Sequence, residues 1–295
     1  MHSFPWSQLG HMPERLRAFD GHHINFSQNS TDSQNGVLFL HGVTRNWRSF
    51  YPLLGELNSE CKLTAIDFRG HGHSGRTSGS YLVTDYVEDV LAVLESSFVP
   101  HQYIYGHSLG AMVALSVAAR TNKEIKGIIL EDPPFSTMGP QIKGSQLHRF
   151  FIGLSELSNS KINSQELFDK FSNIPLHKEG DQQTFFVKDL RDELSRWFAA
   201  ESLMRIDFKI IEPIINGEWL TGYNMEELAK NLDCPVLLLQ ADESAGGMLK
   251  DTDVNLLKRN IKEEIRHQYF SDVGHIIHTN KPSEILKLLR EMINC

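Results

Sequence analysis

Residues 106–110 (GHSLG) give the most specific indication of the fold of this 295-residue chain. They follow a short apolar segment, residues 102–105, and open a helical pattern, residues 108–119, that is rich in Ala, Leu, Met and Val. A serine between glycines on a sharp turn from strand to helix is the arrangement of a nucleophile elbow. The N–H groups at the start of the helix then favour a developing oxyanion. The pattern predicts Ser108 as a nucleophile.

Short apolar segments repeat on both sides of the elbow. Each is four to eight residues long and rich in apolar or β-branched residues, as strands buried on both faces are. They are residues 36–40 (GVLFL), 63–68, 125–130, 235–240 and 266–270. Helical spacing of apolar residues separates them, at residues 85–96 and 282–293. The alternation predicts an α/β fold with a mostly parallel sheet, helices on both faces and a ligand site beyond the carboxyl ends of the strands. A hairpin is predicted around Asp20-Gly21, before the first of these strands.

The alternation of strands and helices fails between residues 135 and 223. This segment has helical patterns and scattered aromatic residues, and it is too long for a structureless loop in a compact domain. We predict an inserted helical subdomain at residues 135–223, between the two halves of a core domain at residues 1–134 and 224–295. Met138 and the aromatic residues are expected to line a largely apolar pocket or to pack within the subdomain itself.

A histidine after the last strand is the expected base. Gly274-His275 follows the predicted strand at 266–270, and the glycine lets the loop approach the serine. His275 has the best position among the 14 histidines, and His278 is the nearest competitor. His107 lies within the elbow, but its side chain is expected to point away from Ser108.

The acid that orients the base is expected between Ser108 and His275 in the chain. Asp242, at the end of the strand at 235–240, is the first choice, with Glu243 adjacent. Asp132 and Glu131 end the preceding strand and are the alternatives, because a carboxylate there can also reach the base.

The oxyanion hole needs two convergent N–H donors. His41-Gly42-Val43 follows the strand at 36–40, so the Val43 amide can aim at the same point as the Leu109 amide. We predict these two amides as the donors.

Composition limits the remaining classes. With 29 basic and 37 acidic residues the formal net charge is −8, which disfavours a nucleic-acid binder. There is no run of 18 apolar residues, so no membrane span is expected, and residues 1–21 lack the pattern of a signal peptide. Cys61, Cys234 and Cys295 are widely spaced and predict reduced thiols in a cytoplasmic protein. No metal or organic cofactor is expected, and a monomer is the default.

In this order, the elbow, His41-Gly42, the stretch at residues 67–74 (DFRGHGHS) and Gly274-His275 resemble the α/β-hydrolase fold family. The resemblance implies an eight-stranded, mostly parallel sheet with a helical cap, or lid, inserted between strands six and seven. It implies Ser108 as nucleophile, His275 as base, and Val43 and Leu109 as oxyanion donors. The 67–74 turn resembles a structural turn of the family, with its arginine paired.

The chain departs from the family pattern at the acid. Many members place it where this chain has Ser244, whereas some use the end of strand six, which corresponds to Glu131 or Asp132. A serine nucleophile argues against dehalogenase and epoxide hydrolase activity, because those members use an aspartate at this position.

These patterns predict a serine hydrolase that cleaves a carboxylic ester, thioester or lactone through an acyl-enzyme on Ser108. The substrate is expected to be a small, largely apolar acyl compound. Two alternatives remain at this stage: a carbon–carbon bond hydrolase of the same family, and a ligand receptor that retains the triad. The sequence does not name the substrate.

Overall fold

The computed structural model describes residues 12–19, 21–96, 102–159, 162–177 and 184–293. Asp20, predicted at a hairpin turn, and Cys295 lie outside the described residues. Cys61 and Cys234 are both buried, and neither forms a disulfide within the described residues.

Eight strands form one sheet: β1 (Glu14–Phe19), β2 (His22–Gln28), β3 (Gly36–Leu40), β4 (Lys62–Ile66), β5 (Tyr103–His107), β6 (Gly127–Glu131), β9 (Val236–Ala241) and β10 (Ile265–Phe270). Their order in the sheet is β1-β2-β4-β3-β5-β6-β9-β10. β1 and β2 pair antiparallel, as do β2 and β4, and the other neighbours are parallel. The predicted α/β fold with a mostly parallel eight-stranded sheet is confirmed.

Helices cover both faces of this sheet. The helices of the strand–helix framework are α1 (Tyr51–Leu57), α2 (Val83–Glu95), α3 (Leu109–Arg120), α9 (Met225–Lys230), α10 (Asp251–Asn260), α11 (Ile277–Asn280) and α12 (Pro282–Ile293). Alternate residues of β3 enter two separate cores: Leu38 and Leu40 pack with α2 and α3, whereas Val37 and Phe39 pack with α1 and α12. Burial on both faces explains why this strand is continuously apolar.

The chain between β6 and α9 adds further helices and one small hairpin. The helices are α4 (Gln146–Ser155), α5 (Ser164–Ser172), α6 (Val187–Leu190), α7 (Glu193–Leu203) and α8 (Glu212–Ile215), and the hairpin pairs β7 (Pro175–His177) with β8 (Thr184–Phe186). The hairpin was missed because its three-residue strands pair only with each other and bury no continuous apolar run. In the described parts of the chain no helix has the length and apolar character needed to cross a membrane.

Candidate active site

Ser108 sits on a strained turn between β5 and α3. Its backbone angles are φ 55° and ψ −115°, a conformation that costs a non-glycine residue about 1–3 kcal/mol. A Cβ on Gly106 would lie 2.1 Å from the Gly110 carbonyl oxygen, and a Cβ on Gly110 would lie 1.9 Å from the Leu40 carbonyl oxygen. Only glycine fits at these two positions, so the glycines make the close turn possible.

His275 lies on the loop between β10 and α11, and it is hydrogen-bonded to a carboxylate. Its Nδ1 is 2.6 Å from Oδ2 of Asp132, the residue that directly follows β6. The Asp132 carboxylate is fully buried, whereas the His275 side chain is 17% exposed. An ionised carboxylate only accepts hydrogen bonds, so Nδ1 of His275 carries the proton and Nε2 is left to accept one.

Backbone amides hold the Asp132 carboxylate in place. Oδ2 also accepts from the Met248 N–H at 2.8 Å, and Oδ1 accepts from the Ala241 N–H at 3.1 Å and the Leu249 N–H at 3.2 Å. Asp132 itself has a positive φ of 45°. Three amide donors offset the desolvation of a buried charge and fix its direction toward the imidazole.

The prediction of Asp242 as the partner of His275 is wrong. Oδ1 of Asp242 accepts hydrogen bonds from the Ser244 N–H and hydroxyl, at 2.8 and 2.7 Å, and Oδ2 accepts from the Asp272 N–H at 3.0 Å. These bonds hold the pKa of the Asp242 carboxyl below its usual range, and the bond from the Ser244 hydroxyl has the largest effect. Asp242 caps the 3₁₀ turn at Glu243–Ala245, and Glu243 is exposed and paired with Lys250.

Glu131, the other alternative acid, belongs to a second buried pair. Its carboxylate accepts from the backbone N–H and the Nδ1 of His278 and from the Tyr105 hydroxyl, at 2.6–2.9 Å. Burial opposes its ionisation, but His278, His107 and the Tyr105 hydroxyl together outweigh burial, and the pKa of Glu131 falls to about 2. His278 Nε2 lies 3.1 Å from the Ser49 carbonyl oxygen. Both ring nitrogens of His278 therefore face acceptors, which leaves His278 no free nitrogen to act as a base.

His107 contacts the backbone of His275, the predicted base. Its Nε2–H donates to the His275 carbonyl oxygen at 3.0 Å, and burial keeps its pKa well below the usual value. The ring is therefore neutral, and it points toward the His275 loop. Its Nδ1 is buried without a hydrogen-bond partner among the described residues.

The loop that follows β3 lies against Ser108, the predicted nucleophile. A Cβ on Gly42 would lie 2.8 Å from Nδ1 of His107 and 3.2 Å from the Ser108 Cβ, so a side chain here would force the His107 ring to move. Thr44, with a positive φ of 65°, is held by its N–H, which donates to Nε2 of His71 at 3.2 Å. Whether the Val43 and Leu109 amides act as oxyanion donors stays a prediction.

Two neutral histidines fix this loop, and the sequence did not reveal their role. Nδ1–H of His41 donates to the Gly42 carbonyl oxygen at 2.8 Å, and its Nε2 accepts from the Phe68 N–H at 3.1 Å. His71 joins Thr44 to the Arg69 carbonyl oxygen in the same way. Burial lowers the pKa of both histidines to about 3, so each ring keeps one donor and one acceptor. Arg69 pairs with Asp89 through two bonds of 2.6 Å, consistent with a structural turn.

A cavity joins these groups at the carboxyl end of the sheet. Its walls include Ser108, His107 and His275, the loop of residues 42–45, and side chains of the chain segment between β6 and α9. The apolar lining residues are Val43, Pro134, Met138, Leu147, Phe150, Phe151, Phe171, Ala199, Leu203, Met248 and Ile276. Met138 and three aromatic residues of the insertion, Phe150, Phe151 and Phe171, thus line the cavity. Trp219 is instead fully buried in the core, and Trp197 stacks on Phe168.

Arg45 and Arg191 also line the cavity, and neither was predicted from the sequence. Arg45 lies two residues after Val43, so its place in the chain offered a signal. Arg191 follows α6 in the inserted segment, where no motif marked it.

Comparisons with known proteins agree with this geometry. A family model described as alpha/beta hydrolase fold matches residues 35–153. A 2-(acetamidomethylene)succinate hydrolase from Mesorhizobium japonicum is 32% identical over 96 residues, which cover 32% of this chain and 34% of the relative. The chain thus spans about a third of that relative's length.

Two further similarities extend over most of the chain. Lipase LipV from Mycobacterium tuberculosis is 23% identical over 267 residues, covering 87% of this chain and 92% of the relative. The crystal structure of the enol-lactonase from Burkholderia xenovorans LB400 superposes with a TM-score of 0.73 at 15% identity, over 95% of this chain and 100% of that one. The sheet order, the elbow and these matches together show that the chain has the α/β-hydrolase fold.

Proposed function

We propose that the protein is a serine hydrolase that cleaves a carboxylic ester, thioester or lactone through an acyl-enzyme on Ser108. The observation that carries the proposal is the 2.6 Å hydrogen bond between His275 Nδ1 and the buried Asp132 carboxylate, at a cavity whose wall also contains Ser108. A serine nucleophile needs an adjacent base, and the base needs a group that fixes its tautomer.

In the proposed reaction Ser108 Oγ attacks the substrate carbonyl while His275 Nε2 takes its proton. The Asp132 carboxylate stabilises the imidazolium that forms, and the Val43 and Leu109 amides stabilise the oxyanion. The imidazolium then protonates the leaving group. Water, activated by the same histidine, attacks the acyl-enzyme and releases the acid and free Ser108.

The positions of the other groups support the same division of roles. Glu131 and His278 are hydrogen-bonded to each other, His278 also contacts the Ser49 carbonyl oxygen, and neither residue lines the cavity. Neither therefore competes with Asp132 or His275 for the reacting atoms. The names of two similar proteins, a lipase and an enol-lactonase, also favour an ester or lactone bond as the target. The bond class is proposed on this basis, and the insertion between β6 and α9 is proposed as the cap that covers the site.

Steady-state hydrolysis of 4-nitrophenyl butyrate tests the proposal. Ser108→Ala and His275→Ala are expected to lower kcat by at least about 10⁴-fold, because the members of a triad act as a unit. Ser244→Ala is the matched control, since this serine is exposed and hydrogen-bonded to Asp242 outside the cavity. A folded wild-type protein without turnover of ester, thioester or lactone contradicts the proposal and favours the receptor alternative.

A further inference from the structure

Two arginines enter the cavity from separate segments of the chain. Arg45 comes from the loop after β3, two residues beyond the predicted oxyanion donor Val43, and Arg191 comes from the inserted segment after α6. The two guanidinium groups are close enough for the charge of Arg191 to lower the pKa of Arg45. Two like charges that are partly withdrawn from water raise the free energy of the site, and a bound group of opposite charge would lower it.

Aromatic rings hold both guanidinium groups. The Arg45 guanidinium lies 4.7 Å from the centre of the Phe198 ring. The Arg191 guanidinium lies 5.3 Å from the centre of Phe150 and 5.8 Å from that of Phe171, two rings that also line the cavity. Stacking on rings orients a guanidinium plane and leaves its N–H edge available to a planar anion.

Neither arginine has a carboxylate partner within the described chain. The lining of the cavity there contains no Asp or Glu, and neither Arg45 nor Arg191 takes part in an ion pair. Arg48, Arg69 and Arg290, in contrast, each pair with a carboxylate. The Arg45 Nε is buried and has no hydrogen-bond partner there.

The nearby acidic groups are already engaged. The charge of Glu131 acts on Arg45, but its oxygens accept from His278 and Tyr105. The charge of Asp192 acts on Arg191, but this carboxylate accepts from the Ser195 N–H at the start of α7. Burial lowers the pKa of Arg45 to about 9 and also lowers the pKa of Arg191. A guanidinium keeps its proton in proteins, so both arginines carry their charge at neutral pH.

We propose that Arg45 and Arg191 bind a carboxylate of the substrate, so that the acyl compound attacked by Ser108 is anionic, such as a monoester of a small dicarboxylic acid. This inference rests on the proposed hydrolase function. The apolar lining between the arginines and Ser108 would contact the methylene chain, and the two guanidiniums would hold the far carboxylate by charge-assisted hydrogen bonds. The expectation of a largely apolar substrate is thereby narrowed to one with a charged end.

Matched esters test the proposal. The substrates are 4-nitrophenyl hydrogen glutarate, which carries a carboxylate, and 4-nitrophenyl methyl glutarate, in which a methyl ester masks it. Wild type is expected to favour the anionic ester in kcat/KM. Arg45→Met and Arg191→Met are each expected to lower the anionic-to-neutral ratio by about 10- to 100-fold, the effect of a lost charge-assisted hydrogen bond.

Two further variants separate this role from a structural one. Arg45→Lys keeps the charge and should restore part of the ratio. Arg266→Met is the control, because its guanidinium pairs with Glu291 on an exposed part of the surface, outside the cavity lining. This control should leave the ratio within about twofold of wild type, since no charge-assisted bond to the substrate is lost.

Binding distinguishes failure of this inference from failure of the hydrolase proposal. Calorimetry on Ser108→Ala with monoethyl glutarate and diethyl glutarate needs no turnover. Tighter binding of the monoester, lost in Ser108→Ala/Arg45→Met, supports the carboxylate site even if wild type hydrolyses neither ester. Equal binding of the two compounds, or a ratio of kcat/KM that the arginine variants do not change, overturns it.

Discussion

Replacing Asp132 by asparagine separates the roles of the carboxylates near His275. The change keeps the shape of the side chain but turns one acceptor oxygen into an NH₂ donor. Each oxygen of Asp132 accepts two hydrogen bonds: Oδ1 from the Ala241 and Leu249 amides, and Oδ2 from the Met248 amide and His275. The NH₂ group of the introduced asparagine must therefore face N–H donors in either orientation.

The two orientations differ in what they leave unpaired. An NH₂ in the place of Oδ1 strands two buried amides, at about 1–3 kcal/mol each, whereas an NH₂ in the place of Oδ2 strands only that of Met248. The second orientation is favoured, and it donates to His275 Nδ1. The imidazole proton then moves to Nε2, where it blocks proton transfer from Ser108. Loss of the correct tautomer is expected to lower kcat/KM by about 10⁴-fold, or about 5 kcal/mol of transition-state stabilisation.

The assay is kcat/KM for 4-nitrophenyl butyrate, with thermal unfolding of each variant to show that it is folded. Asp242→Asn is the matched control, because its carboxylate bonds to groups outside the cavity lining and should change the rate less than threefold, a loss of under about 0.7 kcal/mol. The reasoning is refuted if Asp132→Asn stays within tenfold of wild type, or if Asp242→Asn loses as much activity.

Three further predictions concern the groups that support the site. Glu131→Gln is expected to cost about 3–5 kcal/mol of unfolding free energy at pH 7, since it breaks a buried pair. The pKa of Glu131 is about 2 in the folded protein and about 4.5 in the unfolded chain, so the stabilisation by its carboxylate is present above pH 4.5 and is lost as the pH falls toward 2. In urea unfolding, the unfolding free energies of the variant and the wild type should therefore converge over that pH range. A difference that stays constant with pH would contradict the prediction. Gly110→Ala should prevent stable folding or displace the elbow, because its Cβ would meet the Leu40 carbonyl oxygen; Gly144→Ala, also to be measured by thermal unfolding, has open space and a φ of 81° and should cost only about 1 kcal/mol. Asp89→Asn should lower the unfolding free energy by about 3 kcal/mol by leaving Arg69 unpaired, and a melting curve equal to that of wild type would argue against that pair.

The sequence predicts much of this fold because its strands are buried on both faces. Continuous apolar runs such as that of β3 have few other interpretations, and the predicted bounds of α12 agree with the structure. The sequence did not predict the small β7–β8 hairpin, because three-residue strands are too short to show a periodic pattern. The sequence pattern predicted the helices of the insertion. Some of its aromatic residues line the cavity and others pack in the buried interior, and their spacing along the chain does not predict which residue does which.

The site was predictable where chemistry fixes the local chain. The close turn of the elbow requires its glycines. A histidine that directly follows the last strand lies at the carboxyl edge of the sheet, where the site was predicted. The sequence did not identify the acid, because Asp132 and Asp242 follow neighbouring parallel strands and have the same side chain. The two residues differ in their hydrogen bonds: the Asp132 carboxylate accepts from the Met248 and Leu249 amides, whereas the Asp242 carboxylate caps its own turn. The bonds of Asp132 are long-range in the chain, and no local sequence pattern records them.

The most direct test of the proposed nucleophile is intact-mass labelling with a small fluorophosphonate, on wild type and Ser108→Ala in parallel. We expect one phosphonyl adduct on wild type and none on the variant, since only a serine activated by His275 and Asp132 reacts. An adduct that persists in Ser108→Ala, or a folded wild type that remains unlabelled, would contradict the assignment of Ser108 as an activated nucleophile.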